Sequence, residues 1–194
     1  AALLHDEGYD TVQLAVPKAI TGVNGFDEIT PALLAEINEE FAKQKVEIGI
    51  FSCYMDLSNP DSEVRRKAVE TFCRGLSCAK EAGAKMAGTE TSYEHLGPLE
   101  KQRRFPYMMD SLKRITEEAE RLSVQIGLEP VAFHPLEDME TAVEVLDEIG
   151  SKRLQLIFDP ANLLQRPEEV RQEAYWKRCL ALGGERIAAL HIKD

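Results

Sequence analysis

LQLIFDPANLL, residues 154–164, opens as a nearly continuous apolar run and closes that run on an acid, Asp159. A run of this kind is expected of a strand in a parallel sheet covered by helices. The acid is the anomaly. A carboxylate at the end of an apolar strand is expensive to desolvate unless a cation or hydrogen bonds compensate it. VQIGLE (124–129) repeats the arrangement one unit upstream and ends on Glu129, while IAALHI (187–192) carries His191 one unit downstream.

Working outward, three further β-rich runs precede these: TVQLA (11–15), VEIGIFSC (46–53) and AKMAGTE (84–90). Amphipathic helical stretches separate them. Thr30 before Pro31 caps and opens a helix that buries Leu33, Leu34, Ile37 and Phe41. Asn59 before Pro60 opens the next, with Val64, Ala68, Phe72, Leu76 and Ala79 on one face and Gly83 as its stop. Pro106 is expected to start a third, carrying Leu112, Ile115, Ala119 and Leu122. The segment from Glu137 buries Met139, Val143, Leu146 and Ile149 before Gly150. Pro167, Glu168 and Glu169 read as the acidic first turn of a last helix, which Gly183 and Gly184 end. No linker or low-complexity tract interrupts the pattern, so residues 1–194 read as one domain.

Six such units fit either an open doubly wound sheet or part of a closed barrel. A nucleotide-binding sheet wants a glycine-rich turn after an early strand, and neither G-x-G-x-x-G nor G-x-x-x-x-G-K-[ST] occurs. Polar, ligand-type residues close several different strands instead, which is how barrel active sites are built. The fold class is therefore α/β, a TIM (β/α)8 barrel. With 194 residues the chain is short of the roughly 250 typical of the complete fold.

Lys and Arg number 23 against 34 Asp and Glu, a net charge of −11. That balance argues against a nucleic-acid partner, and the one dense basic cluster, Lys101, Arg103 and Arg104, is small. No apolar stretch reaches the roughly 20 residues that span a bilayer, and the opening AALLHDEGYD lacks the pattern of an export signal. The cysteines, Cys53, Cys73, Cys78 and Cys179, form no C-x-x-C pair and read as reduced thiols. The expectation is a cytoplasmic protein, with a homo-oligomer possible.

In a parallel sheet the C-terminal ends of all strands share one rim, so Glu129, Asp159 and His191 converge although far apart in sequence. Each acid alone could cap the following turn, as Asp159 before Pro160 could; the three at equivalent places read as metal ligands. Two carboxylates and an imidazole suit one divalent ion, Mn²⁺, Mg²⁺ or Co²⁺, and tolerate Zn²⁺. Three ligands leave positions open for substrate oxygens or water. Around them, His134, Asn162, Lys193 and Glu90 are candidates for contact with substrate. His95 and Tyr93 read as surface or lid residues, Tyr175 and Trp176 as packing, and His5 as structural.

At GLEPVAFHPLED, LQLIFDPANLL and IAALHIKD the chain resembles strands five, six and seven of the xylose isomerase-like TIM barrels. That superfamily holds sugar phosphate isomerases and epimerases and endonuclease IV. The segment CYMDLSNPDSEVRRKAVETFCRGLSCAKEAGAKMAGTET is similar to strands three and four of the epimerase-like branch. The resemblance implies that Glu129, Asp159 and His191 match three metal ligands. A fourth, a glutamate on strand eight, and strand one have no counterpart between Ala1 and Asp194. It further implies a metal-dependent isomerase or epimerase of sugars or sugar phosphates. In those enzymes two glutamates shuttle a proton through a metal-stabilised enediolate, and Glu129 would be one of them. A lyase of the inosose dehydratase type and a non-catalytic binding barrel are the alternatives. Endonuclease IV is disfavoured, because its additional rim histidines are replaced here by Cys53 and Tyr54, Thr89 and Glu90, and Asn162.

Overall fold

The computed structural model describes residues 1–164 and 171–193. Six strands, β1 (Thr11–Leu14), β2 (Glu47–Ser52), β3 (Met86–Thr89), β4 (Gln125–Leu128), β5 (Leu154–Phe158) and β6 (Ile187–Leu190), pair in sequence order, every pair parallel. The sheet curls into the larger part of a barrel. One hollow of about 800 Å³ is lined at once by Val12 and Gln13 of β1 and by Ala189 and Leu190 of β6, the two edge strands. The helices α3 (Pro31–Lys43), α4 (Ser62–Glu81), α5 (Pro98–Leu122), α6 (Met139–Ile149) and α7 (Gln172–Gly183) connect successive strands; α1 (Ala2–Asp6) and α2 (Val16–Ala19) flank β1.

Helix and strand meet in the main core. Phe51, Ile126, Leu128, Leu156 and Phe158 of the sheet pack with Phe72, Leu76, Leu112, Ile115 and Ala119 of the helices, all buried. Fully burying one such large side chain contributes about 1.5–3 kcal/mol. The punctuation that starts and stops these helices is largely the expected kind. Thr30 accepts the Leu33 N–H, and Gly150 and Gly184 terminate α6 and α7 with positive φ. Tyr175 and Trp176 are partly buried against the core.

Four expectations need correction. α4 is capped by Asp61, whose carboxylate accepts the Glu63 and Val64 N–H groups, while Asn59 holds the preceding turn. Val64 is consequently in the exposed first turn, 47% accessible, and the buried stripe begins at Val69. α5 begins at Pro98 rather than Pro106. Proline at the first helical position loses no hydrogen bond, and the missing N–H of Pro106 is a single gap within 25 residues of helix. His5 lies exposed on α1, which buries nothing. The helix start expected at Pro167 lies outside the described residues.

The cluster Lys101, Arg103 and Arg104 is not a basic surface. Lys101 and Arg104 are each 6% exposed. Lys101 pairs with Glu137 and donates to the Ala132 carbonyl, Arg104 is bidentate to Glu94, and Arg103 pairs with Glu100. Lys101 and Arg104 thus anchor α5 to the loops that follow β4 and β3, while Arg103 pairs within the helix. All four cysteines are free. Among the described residues no helix is long and apolar enough to cross a membrane.

Candidate metal centre

Side chains alternate across a strand, so counting in twos from any inward residue finds the next one facing the barrel axis. Ile50, Met86 and Ile157, with Ala189, form a small cluster separate from the main core. A Cβ on Gly88 or Gly127 would strike Ile157 or its neighbours, so these two positions face the same interior. Two residues further along β2 comes Ser52 and then Tyr54; Gly88 leads to Glu90, Gly127 to Glu129, Ile157 to Asp159 and Ala189 to His191. Gln13 completes the ring from β1. One hollow of about 480 Å³ is lined by Gln13, Tyr54, Glu90, Glu129, Asp159 and His191, one residue for each of the six strands.

The ladder carries the site residues directly. The Glu129 N–H donates to the Thr89 carbonyl and the His191 N–H to that of Phe158, so both are held as extensions of β4 and β6. Glu129 is 2% exposed, Asp159 1%. One carboxylate oxygen of each and a ring nitrogen of His191 lie within 4.8 Å of one another. Oε1 of Glu129 accepts from Asn162 at 2.6 Å; Oε2 accepts from the Tyr54 hydroxyl at 2.9 Å and lies 3.2 Å from Nδ1 of His191. Oδ1 of Asp159 accepts the Ala161 and Asn162 N–H groups, both at 3.0 Å, and Oδ2 meets the Lys193 ammonium at 2.8 Å. Asp159 thus does cap its turn while leaving one oxygen directed at the hollow.

The electrostatics follow from this crowding. Hydrogen bonding to Glu129, reinforced by the charges of Glu129 and Asp159, raises the His191 imidazole above its ordinary value despite partial burial. Burial, together with the Glu129 charge, pushes Glu90 up to about 7. Burial and then Glu129 raise the Tyr54 phenol well above the usual range, so it remains a donor.

Of the residues read from sequence, Glu129, Asp159, His191, Asn162, Lys193 and Glu90 line the hollow together. Lys193 also donates to Oδ1 of Asn162 at 2.7 Å. His134 does not line it. It is 4% exposed and stands behind Glu90, with Nδ1 3.8 Å from Oε2 of that glutamate and without a hydrogen-bond partner. Tyr93 and His95 are exposed, the latter stacked on Phe133. Gln13 and Tyr54 were missed. Neither is an acid or an imidazole; inward parity, counted through the strands, points to both, and the family resemblance sets Tyr54 at a rim position without a role. A second hollow of about 720 Å³ adjoins the first through Gln13, Tyr54 and Glu90 and continues to Phe26, Pro17 and Lys18.

The donor set fits a divalent cation. Two buried carboxylates converge with an imidazole whose Nε2 is buried and has no hydrogen-bond partner, a set of oxygen and nitrogen donors that suits a divalent ion.

A parallel β/α barrel segment with acids and an imidazole on the C-terminal rim has its candidate site where barrel enzymes carry theirs. This chain belongs to the xylose isomerase-like TIM barrel family, whose model matches residues 1–194. No curated protein matches it in sequence. Among solved structures it is similar to a D-psicose 3-epimerase crystallised with D-fructose: TM-score 0.80, 16% identity, covering 98% of this chain and 65% of that one. It is also similar to the IolI protein with a bound zinc atom (0.74, 18%, 99% and 66%). The third is the 3-keto-D-glucoside 4-epimerase YcjR of E. coli (0.68, 20%, 89% and 70%). At these identities the likeness is one of fold. The chain spans about two thirds of the length of each.

Proposed function

We propose that residues 1–194 form one domain of a cytoplasmic, metal-dependent isomerase or epimerase acting on a sugar, sugar phosphate or related polyol. The observation that carries this reading is the convergence of one ligand atom each of Glu129, Asp159 and His191, from three different strands, within 4.8 Å of one another, with both carboxylates buried. The similarity of fold to two sugar epimerases and a zinc-bound barrel supports it, and the four free cysteines agree with a reducing compartment.

Glu129, Asp159 and His191 are the ligands of one divalent ion, Mn²⁺, Mg²⁺, Co²⁺ or Zn²⁺. Such an ion, when bound, polarises carbonyl and hydroxyl oxygens and makes the adjacent C–H more acidic. The chain's own groups do the rest. Glu129 removes or returns the proton. Asn162 fixes Oε1 of Glu129, and Lys193 balances the charge of Asp159. Glu90, at the end of the strand beside that of Glu129, accepts hydrogen bonds from substrate hydroxyls, and His134 backs it. Because His191 holds a proton more readily than an ordinary imidazole, proton and metal compete for it.

The test is incubation of the Mn²⁺-loaded protein with a panel of ketoses and their phosphates in D₂O, followed by ¹H NMR. Deuterium gained at one carbon adjacent to the carbonyl, with an epimer or isomer as product, is the expected result. A product lacking the elements of water would move the assignment to a dehydratase, and a protein that takes up no divalent ion would remove the metal site and the enzyme with it.

A further inference from the structure

Glu129 is held from both sides, and its partners on one side form a chain whose polarity is fixed. An ionised carboxylate can only accept, so the single proton of the Tyr54 hydroxyl, 2.9 Å from Oε2, is donated to it. The phenol oxygen is then free to accept, and Nε2 of Gln13 stands 3.1 Å away as donor. The same amide nitrogen donates its other hydrogen to Oγ of Ser52 at 2.9 Å. Each bond fixes the direction of the next, outward from the carboxylate. Gln13 and Ser52 lie on neighbouring strands, β1 and β2, so the far end of the chain rests on the sheet itself.

The backbone around Tyr54 is anchored separately. The Tyr93 hydroxyl donates to the Tyr54 carbonyl, and the Met55 N–H donates to Oγ1 of Thr89, which in turn donates to the Glu90 carbonyl. The phenol therefore approaches Glu129 from a fixed base. Tyr54 is half-buried beside a carboxylate that is 2% exposed.

We propose that Tyr54 is the positioning residue of the metal ligand Glu129, and that Gln13, braced by Ser52, sets the phenol's orientation so that its proton points at Oε2. With Asn162 on Oε1, this restricts the carboxylate to one rotamer, and the hollow presents a pre-oriented ligand. The inference rests on the reading of Glu129 as a ligand. Groups that hydrogen-bond a ligand from behind typically contribute 10–100-fold in metal affinity.

The experiment is a Co²⁺ titration of the whole chain at fixed pH, read by calorimetry and by the d–d absorption band, for the wild type, Tyr54→Phe, Gln13→Met and the double variant. Thermal melts in chelator confirm that each is folded; Phe keeps the ring and its packing. Tyr54→Phe is expected to weaken Co²⁺ binding by about 10–100-fold and to shift the band. Gln13→Met should act in the same direction with a smaller effect, and the double variant should be no weaker than Tyr54→Phe alone, since Gln13 acts through the phenol. An unchanged affinity and band in Tyr54→Phe overturn the proposal while the metal site stands. Additive losses in the double variant overturn the role given to Gln13. A wild type that takes up no Co²⁺ overturns the ligand reading and this inference together.

Discussion

The outer and inner faces of the sheet are made by the same six strands and are built on opposite principles. Outward, Phe51, Ile126, Leu128, Leu156 and Phe158 meet helices and are all but inaccessible to water. Inward, the apolar layer shrinks to Ile50, Met86, Ile157 and Ala189, with Gly88 and Gly127 between them, and above it comes a ring of polar side chains. The outer face carries the stability, because apolar burial there is cumulative over many side chains. The inner face holds buried carboxylates that the outer face must offset. Function is placed where packing is thinnest, on strands that the opposite face keeps rigid.

The largest effect that would sharpen this contrast is on chemistry. Glu129→Gln should lower metal-dependent proton exchange by about 10²–10⁴-fold, a typical contribution of a positioned acid–base group, while circular dichroism stays that of the folded chain. A loss of fold in this variant would break the division between faces. Next comes Phe72→Ala on α4, fully buried. It should cost about 3–5 kcal/mol in urea unfolding, transfer and cavity terms together, and a cost below about 1 kcal/mol would mean that the helix layer is not the main core.

Gly127→Ala tests the inner face. The added methyl would come within 2.8 Å of Ile157 Cδ1 and Cγ1 and 2.9 Å of Met86 Sδ. Overpacking costs about 1–3 kcal/mol. Here the lower end is expected, because one of the displaced side chains, Met86, borders the hollow between the edge strands. A loss as large as that of Phe72→Ala would show the inside to be as tightly packed as the outside.

The smallest effect concerns His134. Burial lowers its pKa from 6.5 to about 4. In the folded chain it stays neutral where the unfolded chain would take up a proton. Its contribution is therefore present above pH 6.5 and lost progressively as the pH falls from 6.5 toward about 4. His134→Gln should flatten the decline of the melting temperature across that interval, and an unaltered slope would remove His134 as its source.

Much of this was legible in the chain. Apolar runs spaced by amphipathic stretches declare six β/α units, and acids at the ends of two of them declare a rim. What failed were helix starts, where two candidate signals compete within a few residues. Asp61 outdid Asn59 because its carboxylate reaches two free N–H groups. Pro98 outdid Pro106 because the first helical position needs no N–H, whereas Pro106 sits inside α5 at the cost of one hydrogen bond and a crowded carbonyl. The ionisable residues that line the hollow, Glu90, Glu129, Asp159, His191 and Lys193, were legible, whereas His134 was read into it and stands behind Glu90. Gln13 and Tyr54 stayed hidden because an amide and a phenol are common everywhere and acquire meaning only from a neighbour.

Sequence alone determined the alternation, the parallel pairing and the three residues able to hold a cation, since periodicity and residue chemistry are local properties. Only the tertiary structure decided that Tyr54 points its proton at Glu129, that His134 stands behind Glu90, and that Lys101 and Arg104 serve the fold's interior. Each of those depends on which distant side chain shares the space, and the curl of the sheet sets that proximity where spacing along the chain does not.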